Sequence, residues 1–385
     1  MASEETPDDS GERKVVELVS EVEWTVDDGS GGGPVPGHIW IDVHPNQPWV
    51  LCSFHLKPTS LEVWRYVNGT RVASWLVPDG RRIFGAKFIP SNNWIVGRRR
   101  RSGFVIYKIQ GSNLCPLIVL RHALRRRCGL LQFAVHPRLP YILTSFDELA
   151  VLWEWKWNWY CECNLYRREW ASITFERTSN RFESRKKDKR IHALAFHPTD
   201  PNIFATASGG VIDLWDITTR SPMQTIKMMY PNCDNPVYGL DFCSRPGTSY
   251  LLSCHDIVSP RENGSLAIWD LENGGAVCSY PTHKFSDDLS HLRTAFFHPS
   301  LPYIFTVAFD DIKIWDESND RLLSCYSFGL RRNGLRGLAP CKTSNHAIAF
   351  RGKGKFTLSV VTKTGEDPSQ SMTQMTSVTA ERRRT

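Results

Sequence analysis

The sequence predicts an all-β fold: seven four-stranded units closed into a ring, a seven-bladed β-propeller. Two anchors that recur in the same order predict it. One is a short alternating strand ending in Trp-Asp: "VIDLWD" at 211–216, "SLAIWD" at 265–270 and "DDIKIWD" at 310–316, with a weaker "LAVLWEW" at 149–155. The other lies about twenty residues upstream of several endings and is an apolar strand closed by His-Pro. It reads "WIDVHP" at 40–45, "QFAVHP" at 132–137, "LAFHP" at 194–198 and "AFFHP" at 295–299.

The anchors count the units. The strand endings fall at Trp64, Tyr107, Trp153, Trp215, Trp269 and Trp315, spaced 43, 46, 62, 54 and 46 residues. A seventh, degenerate unit runs from "LRGLAP" (335–340) through "HAIAF" (346–350) to "FTLSVV" (356–361). Repeats of this length match four-stranded propeller blades. An open ring would leave bare sheet edges. The isolated strand-like stretch "KVVELVSEVEWTV" (14–26) is therefore expected to pair with the seventh unit and close the ring.

Taken in order, residues 1–13 are acidic and polar and read as a disordered tail. "DDGSGGGPVPG" (27–37) reads as a flexible link inside a propeller of residues 14–361. The first unit runs from His38 to near Trp64, and "RYVNGTRVASWLV" begins the next. "FGAKFIPSNNWIVG" (84–97) and "GFVIYKI" (103–109) belong to the second. In the third, "HPRLPYILTS" reads as strand, Pro-bounded turn and strand, followed by alternating Trp153, Trp155, Trp157, Trp159 and then Tyr160. The 62-residue spacing marks an inserted loop over 166–190, polar and charged. A shorter insertion is expected near "CHDIVSPRENGS" in the fifth unit. Residues 362–385, rich in Ser and Thr and ending in "ERRRT", read as a disordered basic tail.

Composition bounds the function. Fourteen Trp and nineteen Phe suit a packed β protein. The net charge of +7 is uneven: ten acids against Arg13 and Lys14 give residues 1–30 a net −8, leaving +15 on the rest. A basic body points to an anionic partner. The eleven cysteines form no CxxC pair and have no His at zinc-ligand spacing, so reduced thiols and no metal are expected. No apolar run approaches the ~18 residues that span a bilayer, and the acidic start is unlike a signal peptide. "NGT" (68–70) and "NGS" (263–265) read as Asn-Gly turns. No Walker P-loop, HExxH, GxSxG elbow or EF-hand loop is present, and "RGKGKF" (351–356) lacks P-loop spacing. The reading is a non-enzyme without cofactor.

These units resemble WD repeats. In the sixth, His283, Thr306, Asp310 or Asp311, and Trp315 match that family's buried hydrogen-bonded tetrad, a structural rather than catalytic group. The first two units lack clear tetrads. More specifically, "IDVHPNQPWVLCSF", "AKFIPSNNWIVG", "FAVHPRLPYILTS" followed by "LWEWKWNWYCE", and "AFFHPSLPYIFTVAFDDIKIWD" resemble the amino-terminal propeller of the coatomer beta-prime subunit, in unit order over 38–361. The resemblance implies a cytoplasmic interaction platform in Golgi–ER vesicle transport, peripheral to membranes.

The family's top face captures dilysine tails with three basic residues and two Asp. Alignment puts Gly37, Ile39 and Phe84 at the basic positions and Cys128 at the first Asp, so only Asp147 is retained. The dilysine pocket is expected to be lost. Basic clusters stand instead between units or strands: Arg81 and Arg82; Arg98, Arg99, Arg100 and Arg101; Arg125, Arg126 and Arg127; Arg185, Lys186 and Lys187; Arg331, Arg332 and Arg336. All are expected on one face, where arginine forks would bind carboxylates or phosphates.

The expected partners are proteins, coatomer subunits or acidic segments among them. The alternative is an anion-binding propeller for RNA or acidic phospholipid. A third reading, a ubiquitin-ligase substrate receptor, implies Arg two residues after Trp-Asp. Thr218, Glu272 and Ser318 stand there, which argues against it.

Overall fold

A computed structural model describes residues 16–25, 39–54, 60–77, 83–99, 103–120, 130–146, 149–157, 168–176, 190–227, 237–255, 264–283, 294–307, 311–318, 321–327, 335–341, 344–351 and 355–363. The described chain is almost wholly β. Its strands fall into successive antiparallel groups of four. The first holds β2 (Ile39–Val43), β3 (Trp49–Phe54), β4 (Ser60–Arg65) and β5 (Thr70–Leu76). The second holds β6 (Ile83–Ile89), β7 (Trp94–Arg99), β8 (Phe104–Gln110) and β9 (Asn113–Leu120). These two join into one eight-stranded sheet through a single parallel pairing, Ser74 with Asn113.

The third unit is β10 (Leu130–Val135), β11 (Tyr141–Phe146), β12 (Leu149–Trp157) and β13 (Arg168–Glu176). The fourth is β14 (Ala193–Phe196), β15 (Ile203–Ser208), β16 (Val211–Asp216) and β17 (Ser221–Lys227). The fifth is β18 (Val237–Phe242), β19 (Tyr250–His255), β20 (Gly264–Asp270) and β21 (Ala276–His283). The sixth is β22 (Thr294–Phe297), β23 (Tyr303–Val307), β24 (Asp311–Asp316) and β25 (Leu322–Ser327). In the last, β26 (Leu335–Pro340), β27 (His346–Arg351) and β28 (Lys355–Lys363) are completed by β1 (Val16–Thr25). The expected closure is thus present: Val16 pairs with Lys363 at one end and Thr25 with Lys355 at the other.

Three boundaries differ from expectation. Thr70–Leu76 does not begin the second unit but forms the outer strand of the first, because the Asn68-Gly69 turn folds it back on β4. Arg168–Glu176 lies within the stretch expected as an inserted loop, yet it is the outer strand of the third unit. Its Trp170, Ile173, Thr174 and Phe175 are strong strand formers. Thr362 and Lys363, expected in the carboxy-terminal tail, instead end β28, because they pair with Glu17 and Val16 of β1. Residues 1–13, the 27–37 link, 166–167, 177–189, the fifth-unit insertion at 256–263 and 364–385 lie outside the described residues.

Apolar residues from neighbouring units meet in a chain of cores around the ring. Leu51 and Val63 of unit one pack with Phe88 and Tyr107 of unit two. Phe104 packs with Phe133 and Trp153, and Leu152 with Phe204 and Trp215. Leu214 meets Trp269, Leu252 meets Trp315, and Phe305 meets Ala347. The series returns to its start where Val43, Val50 and Tyr66 pack with Ala339, Ile348 and Trp24. Each unit is therefore held by burial against both neighbours, the main favourable term in folding.

The Trp of Trp-Asp lies inside these cores and its indole N–H needs a partner. Trp153 donates to Thr144 Oγ1, Trp215 to Thr206 and Trp315 to Thr306, each at 2.9 Å. Trp269 donates to Ser253 Oγ, also at 2.9 Å. The first two units do without this bond. Cys52 and Gly97 occupy the hydroxyl position by register, Trp64 turns its indole N–H to Glu62, and Tyr107 replaces Trp beside Gly97.

Candidate interaction face

The meander gives the ring two unlike ends. Turns between first and second strands, and between third and fourth, lie at one end. Turns between second and third strands, and the connectors between units, lie at the other. The first end carries every His-Pro and Trp-Asp anchor and is built from closed local networks.

Each His-Pro histidine organises its own turn. Nδ1 of His44 accepts the N–H groups of Asn46 and Gln47, and Nδ1 of His136 those of Arg138 and Leu139. His197 and His298 do the same with Thr199 and Asp200, and with Ser300 and Leu301. The ring then reaches the next unit. His44 lies edge-on to Phe88, His136 to Phe196 and His197 to Phe242, each with centroids 4.9 Å apart. His44 Nε2 also meets Asn93 Oδ1 at 3.1 Å. Burial pushes His136 and His298 down to about 4, so both are neutral at pH 7.

The Asp of Trp-Asp caps the following turn. Asp216 Oδ1 accepts the N–H groups of Thr218 and Thr219, Asp270 those of Glu272 and Asn273, and Asp316 that of Ser318. The Thr218 hydroxyl and the Asn273 side-chain amide, together with these backbone bonds, hold Asp216 and Asp270 below the usual carboxylate range. Arg245 bridges units five and six at this end, bonded to Leu301 O and Glu317. The Nδ1 atoms of the anchor histidines and the carboxylates of the anchor aspartates are thus engaged in turns.

The opposite end is the connector end, and the basic clusters fall in the sequence between strands that open there. Arg81 and Arg82 lie between β5 and β6, Arg98 to Arg101 at the β7–β8 turn, and Arg125 to Arg127 between β9 and β10. Arg185 to Lys187 lie between β13 and β14, and Arg331 to Arg336 between β25 and the start of β26. All the flanking strands open at the same end of the ring.

Of these side chains the structure describes Arg98 and Arg99, both half-buried. Arg99 N–H donates to Gly103 O at 2.9 Å and tightens the β7–β8 turn. Its Nε is buried without a hydrogen-bond partner among the described residues. Burial lowers the pKa of the Arg98 guanidinium. Arg336 is placed by its backbone at a bulge of β26 between Leu335 and Gly337. Arg81, Arg82, Arg100, Arg101, Arg125, Arg126, Arg127, Arg331, Arg332, Asp147 and Asp310 lie outside the described residues. Of the tetrad residues, Trp315 donates its indole N–H to Thr306, while His283 is placed only by its backbone in β21, opposite Gly264.

One group at this end escaped the sequence reading. The innermost strands β6, β10, β18 and β26 all bulge near the connector end. Bulges re-aim side chains and recur beside functional sites. In β6 the bulge includes Gly85, at φ +102, where L side chains are strained. A β-carbon there would meet the Trp40 indole at 3.4 Å and the Phe133 ring at 3.7 Å. Trp40 remains 41% exposed, and Lys87 Nζ stands 5.9 Å from the Phe133 centroid. The "WIDVHP" anchor contained the Trp, but its exposure depends on a glycine from the next unit.

Among the described residues no group of three or more His, Cys, Asp or Glu is arranged to hold a metal, and no helix is long and apolar enough to cross a membrane.

Comparison with known proteins agrees with this architecture. Over 335 residues, 86% of this chain, the sequence is 29% identical to coatomer subunit beta' of Rattus norvegicus, and it spans 32% of that protein. Among solved structures, Raptor from Chaetomium thermophilum matches 85% of the chain with a TM-score of 0.63 at 15% identity, over 28% of that chain. No family model matches. The chain has a WD-repeat propeller fold and resembles coatomer subunit beta'. The Raptor likeness bears on the fold alone.

Proposed function

We propose that the chain is a non-catalytic protein-interaction platform of the coatomer beta' type, working in vesicle-mediated transport at the cytoplasmic side of Golgi or vesicle membranes. Its interaction face is the connector end. The observation that carries this reading is topological: the strands flanking five basic clusters all open at that end, whereas the His-Pro end spends its polar groups on turns and inter-unit straps. The charge favours partners that present carboxylates, and arginine recognises these through paired N–H donors. The dilysine mode of the family is lost, because alignment leaves Gly37, Ile39 and Phe84 where its carboxylate clamp stands. The basic body, +15 outside residues 1–30, also supports a second reading, binding of RNA or acidic phospholipid. The ligase-receptor reading is weakened by Thr218 and Ser318, whose N–H groups serve as turn donors to the preceding Asp.

The test is affinity purification of the tagged chain from its own cells, with and without nuclease, at low and physiological salt. Recovery of coatomer subunits or other discrete proteins, resistant to both treatments and lost on reversing the charge of Arg98 and Arg99, supports the platform. Partners removed by nuclease or by physiological salt favour the second reading. Protein partners unaffected by charge reversal at two basic clusters would place the interaction elsewhere on the ring.

A further inference from the structure

We infer that Trp40 is the apolar anchor of the connector-end face, and that its ligand is an acidic peptide segment carrying a single aliphatic or aromatic side chain. The inference rests on the interaction-platform reading and names what that face would hold.

Trp40 stands second in β2, the innermost strand of unit one, near the strand's connector end. Single exposed apolar residues are ordinary on a protein surface. This one differs in its setting. Its indole lies over Gly85, which offers backbone rather than a side chain to cover it, and the Phe133 ring borders the same glycine from unit three. Three consecutive inner strands thus contribute to one aromatic step. Exposed Trp flanked by desolvated neighbours is a common form of interface anchor.

The surroundings fix the chemistry of the partner. Lys87, exposed on β6, places its ammonium by Phe133. Arg99, half-buried, is the register partner of Ile83, two residues before Gly85. On the other side of β2 lies β26, with Arg336 at its bulge. Lys87 therefore borders the aromatic step from β6, and the backbone of β26 carries Arg336 on the other side of β2. A ligand that covers Trp40 brings an apolar group to the step and acids to its rim, which is charge complementarity around a desolvated centre. A polylysine tail would meet like charge.

The test uses the full chain and three fluorescein-labelled ten-residue peptides, read by polarisation at physiological salt. The first is Glu and Asp throughout with one central Leu. The second replaces that Leu by Gly. The third keeps Leu and replaces the acids by Lys. The expected result is that the first binds about tenfold more tightly than the second, as for an interface anchor, and that the third does not bind. Trp40→Ala should bring the first peptide to the level of the second and leave the second unchanged. Lys87→Glu, at an exposed position, should weaken both acidic peptides.

Equal binding of the two acidic peptides, unmoved by Trp40→Ala, would overturn the anchor and leave the basic interaction face standing. Failure of both acidic peptides would overturn the anchor and the basic face together. A ten-nucleotide RNA that binds more tightly than the first peptide and ignores Trp40→Ala would replace the peptide by nucleic acid.

Discussion

A β-carbon on Gly69 would lie 2.7 Å from the Cβ of Trp24. Gly69 turns the first unit's outer hairpin, and Trp24 is near the end of β1, the outer strand of the last unit. The contact belongs to a pattern. Ser74 N–H donates to Ser112 O between units one and two, and Gln224 approaches Gly274 between units four and five. Each time one outer strand meets the outer turn of the next unit. Strand twist accounts for this, since outer strands tilt far from the inner ones.

Gly69→Ala should therefore destabilise the chain by roughly 2–4 kcal/mol, combining left-handed strain at φ +63 with overpacking against Trp24. Urea unfolding checks it. Gly111→Ala is the control: φ is +59 but no atom lies within 4 Å of the added carbon, so only the strain, about 1 kcal/mol, remains.

Thr306→Ser should be nearly silent, because Ser253 already accepts the indole N–H in unit five. Thr306→Val has similar shape but strands the buried Nε1 of Trp315, which costs about 1–3 kcal/mol. The separation of the two thermal midpoints measures the bond apart from packing.

The His-Pro straps make stability pH-dependent. In the unfolded chain His136 and His298 titrate near the ordinary ~6.5, but in the fold they stay neutral down to about 4. Between these values the unfolded state binds more protons, so stability is full above ~6.5 and falls as pH drops towards 4, by about 1 kcal/mol per pH unit for each histidine. Thermal midpoints from pH 7 to pH 4.5 should decline, and His136→Gln with His298→Gln should flatten that slope even while lowering the starting value.

Arg245→Ala should cost about 3–5 kcal/mol, because it leaves Glu317, 7% exposed, as a buried charge without the guanidinium that faces it. Adding Glu317→Leu should recover much of the loss. A double-mutant cycle in urea reads the coupling; simple additivity of the two losses would mean that the pair does not hold units five and six together.

The architecture was legible because its signals are local and repeated. Trp215 and Asp216 announce a buried indole and a capped turn within six residues of strand, and His197-Pro198 announces the neighbouring turn at the same end of the sheet. What each Trp donates to was less visible, since Thr206 is nine residues away and is found only through register. Units one and two were harder still: Cys52 and Gly97 take the hydroxyl position, and nothing in either residue type signals it. Arg168–Glu176 was hidden by its charged neighbours, although its own pattern is that of a strand. The proposed interaction face was legible as charge but not as shape. Exposure of Trp40 requires Gly85, forty-five positions later, and a bulge that no local propensity encodes.

The pairing of β1 with β28 also has a consequence for synthesis. Val16 must wait for Lys363 before its strand has a partner. At ribosomal rates of about 5–20 residues per second, that delay is roughly 20–70 s. Throughout it, the edge of the growing ring and an unpaired strand coexist on the nascent chain. Inner units can settle in order as they emerge, but the last step is all-or-none and comes late. β1 is thus the strand exposed to mispairing for longest, and holding it apart until β28 appears is the natural task for a chaperone on this fold.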